Sequence, residues 1–423
     1  MASARAHPSG KKAFWIDSRR RGRQASRVLR RKTGWVMNLY RLRAATLALA
    51  LGVSGMACDS EEAFPNLDEL DQLRSLHSLG RQPPKDSTNR FDGVARAEAL
   101  GDVLFHDSGL SRCGTVSCAS CHGGEGLTVS TAKAKGCGGH LSGRNPPTLL
   151  NVAYSRWFMW DGRADRLWSQ AILPLLNPVE MDADAQVVRA RLEAEPTYTA
   201  EYQALFGTAP ADEADSALLA NVGKVLAAYQ RTLVRIDAPF DADVRRFIAA
   251  AEAGRAEADP AYLGLKTFVR KGQCIICHKG PALTDDLFHN IGVEDDSPGA
   301  GGQWSALEPL LGWEFNAAGR YSDAPTGTVA ARLQTLRTQA DRGTLEGAFR
   351  TPSLRNLTLT APYMHTGAQA TLEEVVDFYN DGGGTPGTFV GKKTETIVPL
   401  DLSNEEKRAL VALLQSMTGA TPP

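Results

Sequence analysis

Between Arg90 and Phe105 the apolar residues Phe91, Val94, Ala97, Leu100, Val103 and Leu104 return at roughly helical spacing, which predicts a helix with one buried face. Ala217–Val234 is more continuously apolar and predicts an interior helix that closes the first half of the chain. Leu263, Leu265 and Phe268 open the second half. Further on, Leu372, Val375, Val376 and Tyr379 share one helical face, and Leu410, Val411, Leu414 and Met417 share another. Thr371-x-x-Glu374 and Ser403-x-x-Glu406 fit capping boxes at the starts of these two helices, with Gly419 as a stop for the second. Strand signals are sparse, so the expected fold class is mainly α.

The polar stretches set the expected boundaries. Residues 59–85 are polar and Pro-containing and read as a linker, while Ala249–Asp259 is charged and Ala-rich and reads as a connection. Domains are therefore expected at 86–247 and 260–423. Residues 123–143, rich in Gly and small side chains, are expected to form a loop.

An internal repeat runs across that division. Pro147-Thr148-Leu149-Leu150-Asn151-Val152 matches Pro352-Ser353-Leu354-Arg355-Asn356-Leu357, and Met159 and Gly162 match Met364 and Gly367, all at an offset of 205. Cys118-Ala119-Ser120-Cys121-His122 recurs as Cys274-Ile275-Ile276-Cys277-His278 at an offset of only 156. The difference places about 49 extra residues in the second copy, within Glu294–Leu345, where Gly, Pro and Ser collect. The chain reads as two domains related by duplication, one with an enlarged loop.

Both copies of the Cys-x-x-Cys-His motif carry chemistry. Two thiols three residues apart can reach both vinyl groups of one porphyrin, and the following imidazole falls under the iron as proximal ligand. A redox Cys-x-x-Cys pair does not require the histidine, and a zinc site would need further Cys or His close by, which the second copy lacks. The fold expectation is thus two cytochrome c-like haem domains carrying two covalently bound haem c. Of the remaining cysteines, Cys113 and Cys137 flank the first motif, and either form a disulfide across the loop or remain two buried thiols.

Composition adds the setting. With 43% hydrophobic and 22% charged residues in 423, the chain is globular and long enough for two cores. The net charge of -1 conceals an asymmetry, because residues 1–43 hold 13 Lys/Arg against the single acid Asp17. The remainder carries 34 basic against 47 acidic side chains, which argues against a nucleic-acid partner and suits a basic protein. The basic segment leads into the apolar run Ala44–Val53 and then Ser54-Gly55-Met56-Ala57-Cys58, the order of a secretory signal. Residues 1–58 are expected to direct export to the periplasm, starting at Met1 or Met37. Cleavage falls either at a lipoprotein-type site, leaving a lipid anchor on Cys58, or at an ordinary site nearby.

Leu104-Phe105-His106-Asp107, Arg144-Asn145-Pro146-Pro147-Thr148-Leu149-Leu150-Asn151, Trp160-Asp161-Gly162-Arg163-Ala164 and Thr351-Pro352-Ser353-Leu354-Arg355-Asn356 through Ala361-Pro362-Tyr363-Met364-His365-Thr366-Gly367 resemble the bacterial di-haem cytochrome c peroxidase family, which includes MauG-like members. The resemblance covers about residues 90–420. It implies a first haem, on His122, that reacts with hydrogen peroxide, and a second, on His278, that passes electrons to it. It also implies Glu180 as acid/base and Gln170 as its companion in the distal pocket, Trp160 as the ring between the haems, and a calcium ion held by oxygens of Asn145, Thr360 and Pro362. Electrons would come from a small cytochrome c or similar donor, and family members are often homodimers.

Two positions depart from the conventional peroxidases. Where those have a distal Met on the second haem this chain has Tyr379, as MauG-like members do; Met364 and Met417 are the other candidate ligands. His140 stands either as a switchable ligand of the first haem or as a loop histidine, the spacing to Arg144 being short for the former. The expected function is periplasmic reduction of hydrogen peroxide. The alternatives are MauG-like oxidation of a partner protein through high-valent haem, and a di-haem electron carrier with no enzymatic activity.

Overall fold

The computed structural model describes residues 63–295 and 300–420, so the expected export segment, its start and Cys58 lie outside the described residues. The described chain is mainly helical, with 14 α-helices and one two-stranded antiparallel sheet that pairs Phe288 with Arg350 and His289 with Phe349. No described helix is long and apolar enough to cross a membrane.

The first core is built on three helices. Ala95–His106 and Leu167–Leu176 both pack against Asp215–Gln230, burying Leu100, Leu104, Trp168, Ile172, Val222 and Leu226. Two glycines let these helices approach closely. A Cβ at Gly101 would stand 2.0 Å from the carbonyl oxygen of Val225, and one at Gly223 would stand 2.4 Å from that of Trp168. The helix Asp215–Gln230 lies within the apolar stretch read from the sequence and ends before Val234, where Leu233 and Arg235 turn to pair with Asn151.

The second core collects Phe268 from Tyr262–Val269, Leu372 and Val376 from Leu372–Asn380, and Leu410, Leu413 and Leu414 from Asn404–Ser416. Ser403 forms the full capping box with Glu406. Thr371 accepts from the Glu374 N–H, but the Glu374 carboxylate takes the N–H of Ala370 rather than that of the cap.

Three stretches differ from the sequence reading. The expected linker carries a helix, Leu67–Ser75, started by a capping box between Asn66 and Glu69, and it buries Leu73 and Leu76 completely in the second core. Glu69 also receives a bidentate pair of hydrogen bonds from Arg270, 2.6 and 2.9 Å, which ties this helix to the residues just before the second motif. The expected connection lies partly in the helix Pro239–Glu252, whose Phe240, Val244 and Phe247 also enter the second core, so the boundary at 247 cuts a helix. The enlarged segment is not a plain loop. It contains helices Gly302–Gly312, Thr328–Gln339 and Arg342–Leu345, and Leu310 and Leu333 form a small third core with Trp157.

Candidate functional site

Each Cys-x-x-Cys-His motif forms a single tight turn. Cys118–Cys121 is a four-residue helix capped by Ser117, and the second motif is a shorter 3-10 turn over Cys274–Ile276. In both, the histidine N–H closes the turn on the carbonyl of the first cysteine, at 2.9 Å for His122 and 2.8 Å for His278. The side chains are held alike. Nδ1 of His122 lies 3.0 Å from the carbonyl oxygen of Leu127, and Nδ1 of His278 lies 3.0 Å from that of Leu283. A carbonyl only accepts, so Nδ1 carries the proton and Nε2 keeps its lone pair for a metal. Burial lowers the pKa of both imidazoles, which holds them neutral.

Cys118, Cys121, Cys274 and Cys277 are the free cysteines among the described residues, whereas Cys113 and Cys137 are joined by a disulfide across 24 residues. Burial pushes the Cys118 and Cys274 thiols up to about 12. One continuous cavity of about 890 Å³ has Cys121 and His122 on one part of its wall and Cys274, Cys277 and His278 on another. Cys118 lies off this wall, beside Cys121. A space of this size with two sets of thiol and imidazole donors fits two porphyrins.

Near the first motif the cavity wall carries Gln170, Pro174, Asn177 and Glu180. Gln170 sits on Leu167–Leu176. Its Nε2 donates to Sδ of Met159 at 3.7 Å, and its buried Oε1 has no hydrogen-bond partner among the described residues. Glu180 follows the helix in a turn closed by its own N–H on the Asn177 carbonyl at 3.0 Å, and Nδ2 of Asn177 donates to Oε1 of Glu180 at 2.7 Å. Burial raises the Glu180 pKa, opposed by the Asn177 hydrogen bond and the nearby Arg163 charge. Pro174 and Asn177 were not singled out from the sequence. A proline inside a helix and an asparagine at its end read as a kink and a cap, although Asn177-x-x-Glu180 does carry a spacing signal.

Also on the cavity wall, Trp160 donates its Nε1–H to the carbonyl of Asn145 at 2.7 Å, and its ring lies 6.4 Å, centroid to centroid, from His365. Nδ2 of Asn145 donates to the carbonyl oxygens of Pro362 at 2.7 Å and Met364 at 3.3 Å. The buried Oδ1 of Asn145 has no hydrogen-bond partner among the described residues. Rotating this amide by half a turn would direct Oδ1 at the two carbonyls, three oxygens that then require a cation. Thr360 lines the same cavity, with its hydroxyl donating to Leu357.

At the second motif, Leu372, Val375, Val376 and Tyr379 all line the cavity, and Tyr379 lies near Cys274 and Cys277. Burial pushes its phenol well above the ordinary tyrosine range. Met364 also lies on the cavity wall, whereas Met417 is wholly buried in the second core and off it. His140 is exposed and off the wall, although the adjoining Leu141, Ser142 and Gly143 are on it.

The model of the family described as di-haem cytochrome c peroxidase matches residues 95–247. The chain is 36% identical to the methylamine utilization protein MauG of Methylorubrum extorquens, over 75% of this chain and 77% of that one. It is 34% identical to the cytochrome-c peroxidase IdrP1 of Denitromonas iodatirespirans, over 90% and 93% of the two chains. Among solved structures it is similar to a MauG-like protein associated with microbial copper homeostasis, at 29% identity and a TM-score of 0.57, covering 80% of this chain and 93% of that one.

Proposed function

Because the chain belongs to the di-haem cytochrome c peroxidase family, an oxidoreductase family whose membership implies two c-type haems, we propose that it reduces hydrogen peroxide to two waters with two protons and two electrons from a small cytochrome c or similar donor. The observation that carries this reading is the presence of Glu180 and Gln170 on the cavity wall that holds Cys121 and His122. When bound, the haems would supply the iron that takes up peroxide and would relay the donor's electrons to it.

The residues have distinct tasks. Cys118 and Cys121 tether the first haem and His122 holds its iron; Cys274, Cys277 and His278 do the same for the second. Glu180 moves a proton between the two peroxide oxygens, its ionised form favoured by Asn177 and Arg163 against the cost of burial. Gln170 supplies a buried polar group on the same cavity wall, and Trp160, anchored on Asn145, would carry electrons between the two haems. Tyr379 would hold the second haem's iron, a reading supported by its place on the cavity wall near Cys274 and Cys277. His140, exposed in this arrangement, is not assigned to iron. Asn145, Thr360 and Pro362 hold a calcium ion, a reading supported by the orphaned Asn145 oxygen.

Duplication of a haem domain, with haem-binding halves close to 86–247 and 260–423, is the architecture we assign. It is supported by left-handed backbone at Asn151 and Asn356 and at Met159 and Met364, and by isolated bridges Phe158 to Ala164 and Tyr363 to Gln369, all related by the same offset of 205. Export by residues 1–58 to the periplasm completes the reading, and the acidic remainder of the chain suits a basic donor.

The test is peroxide-dependent oxidation of a reduced small cytochrome c by the di-haem protein and by Glu180→Gln. Turnover that collapses in the variant supports the peroxidase. Tyr379 favours a second reading, MauG-like oxidation of a partner protein, which predicts fast reaction with peroxide and negligible cytochrome oxidation. An electron carrier would not react with peroxide at all.

A further inference from the structure

We infer that peroxide reaches Glu180 through a second, smaller cavity that opens beside the end of the helix Leu167–Leu176. This rests on the peroxidase reading and adds an entrance to it. The cavity holds about 280 Å³ and is lined by Met159, Arg163, Leu173, Leu176, Asn177 and Glu180. Four of these, Met159, Arg163, Asn177 and Glu180, also line the large cavity, so the Glu180 carboxyl stands in the partition between the two. With porphyrins in the large cavity, the small one would give a route from solvent to that carboxyl on the side of Leu173 and Leu176.

The walls suit a small neutral polar molecule. Leu173 and Leu176, three residues apart on one helical face, form an apolar side with Met159. The other side offers donors and acceptors that already have hydrogen-bond partners. Arg163 is held by both oxygens of Asp161 at 3.0 Å, and Glu180 is held by Asn177. The volume admits several water-sized molecules, since each occupies about 30 Å³. Leu176 is 36% exposed and the Arg163 side chain 34%, so the mouth reaches the surface.

The experiment uses the di-haem protein with its second haem reduced, mixed rapidly with hydrogen peroxide or tert-butyl hydroperoxide. Leu176→Trp narrows the mouth at a surface position. Its second-order rate constant for hydrogen peroxide should fall by about tenfold or more while the rate at saturating peroxide is kept, a loss on kcat/KM that a displaced catalytic group would not confine there. Leu176→Ala widens the mouth and should raise the rate with tert-butyl hydroperoxide relative to hydrogen peroxide several-fold. Unaltered haem spectra and thermal unfolding in both variants establish that the fold is intact. Rate constants within about twofold of the parent in both variants, with a parent that reacts rapidly, would overturn the entrance alone. A parent that does not react with peroxide would overturn the peroxidase reading and the entrance together.

Discussion

Arg355 and Asp241, 114 residues apart, form a bidentate ion pair with hydrogen bonds of 2.9 and 3.1 Å, and their side chains are only 2% and 3% exposed. Arg355 also donates to the carbonyls of Pro281, just after the second Cys-x-x-Cys-His motif, and of His77, near the chain's described start. One guanidinium therefore joins four separate segments around the second core. Asp241→Ala leaves that charge buried without its partner and should cost about 3–5 kcal/mol in chemical denaturation, whereas replacing both residues by apolar side chains should cost much less. A single variant as stable as the parent would refute this role.

The raised pKa of Glu180 fixes the sign of a pH effect. Burial favours the neutral acid, so the ionised carboxylate needed to accept a proton is lost, as pH falls, at a higher pH than the 4.5 ordinary for glutamate. Removing the Asn177 hydrogen bond removes a force that favours the anion. Asn177→Ala should therefore shift the acid limb of the peroxide reaction to still higher pH, and Arg163→Gln should shift it the same way. Glu180→Gln should lower the rate by about 10²–10⁴ and abolish that limb. Rapid-mixing kinetics across pH decide the matter, and a limb moving downward in Asn177→Ala would be incompatible with the structure.

The face of the last helix could be read directly, because a period of 3.6 is local: Leu410, Val411, Leu414 and Met417 are all buried as their spacing implies, whereas Val94 and Val103 of the first predicted face are exposed. The two Cys-x-x-Cys-His turns are equally local, which is why their thiols and imidazoles could be listed before any fold was known. What escaped was decided by distant partners. Leu73 and Leu76 sit among acids and polar residues, and only the second core gives them a place to be buried; the Asn66-x-x-Glu69 capping box was the available signal. Pro239–Glu252 changes company in the same way, since its charged and alanine-rich end hides the burial of Phe240 and Phe247. The link from Asn177 to Glu180 was within reach of spacing, whereas that from Arg355 to Asp241 was not.

As the proposed ligand of the second haem, Tyr379 would set its potential. Its phenol, pushed up by burial, ionises near neutral pH only beside a strong positive charge such as ferric iron. The phenolate then favours the oxidised state. Tyr379→Met should raise the second haem's midpoint potential by on the order of 100 mV or more, within the ~0.8 V span that axial ligands set. Tyr379→Phe should convert that iron from six- to five-coordinate. Spectroelectrochemical titration reads both, and an unchanged potential in the Met variant would remove Tyr379 from the iron.

Asn145 connects the calcium reading to Trp160. Its backbone carbonyl takes the indole N–H, its backbone N–H donates to the carbonyl of His365 at 2.9 Å, and its side chain meets Pro362 and Met364. An ion that drew Oδ1 toward those carbonyls would fix this residue at three points, and with it the Trp160 ring that it anchors. Calcium should bind the di-haem protein in calorimetry, and Asn145→Ala should weaken binding by at least about tenfold through loss of an oxygen ligand. Chelation should slow cytochrome oxidation in the parent, calcium should restore it, and neither treatment should alter Asn145→Ala further. Calcium binding of equal strength in parent and variant would exclude the side chain from the ion, and turnover in the parent indifferent to chelation would exclude the ion from holding Trp160.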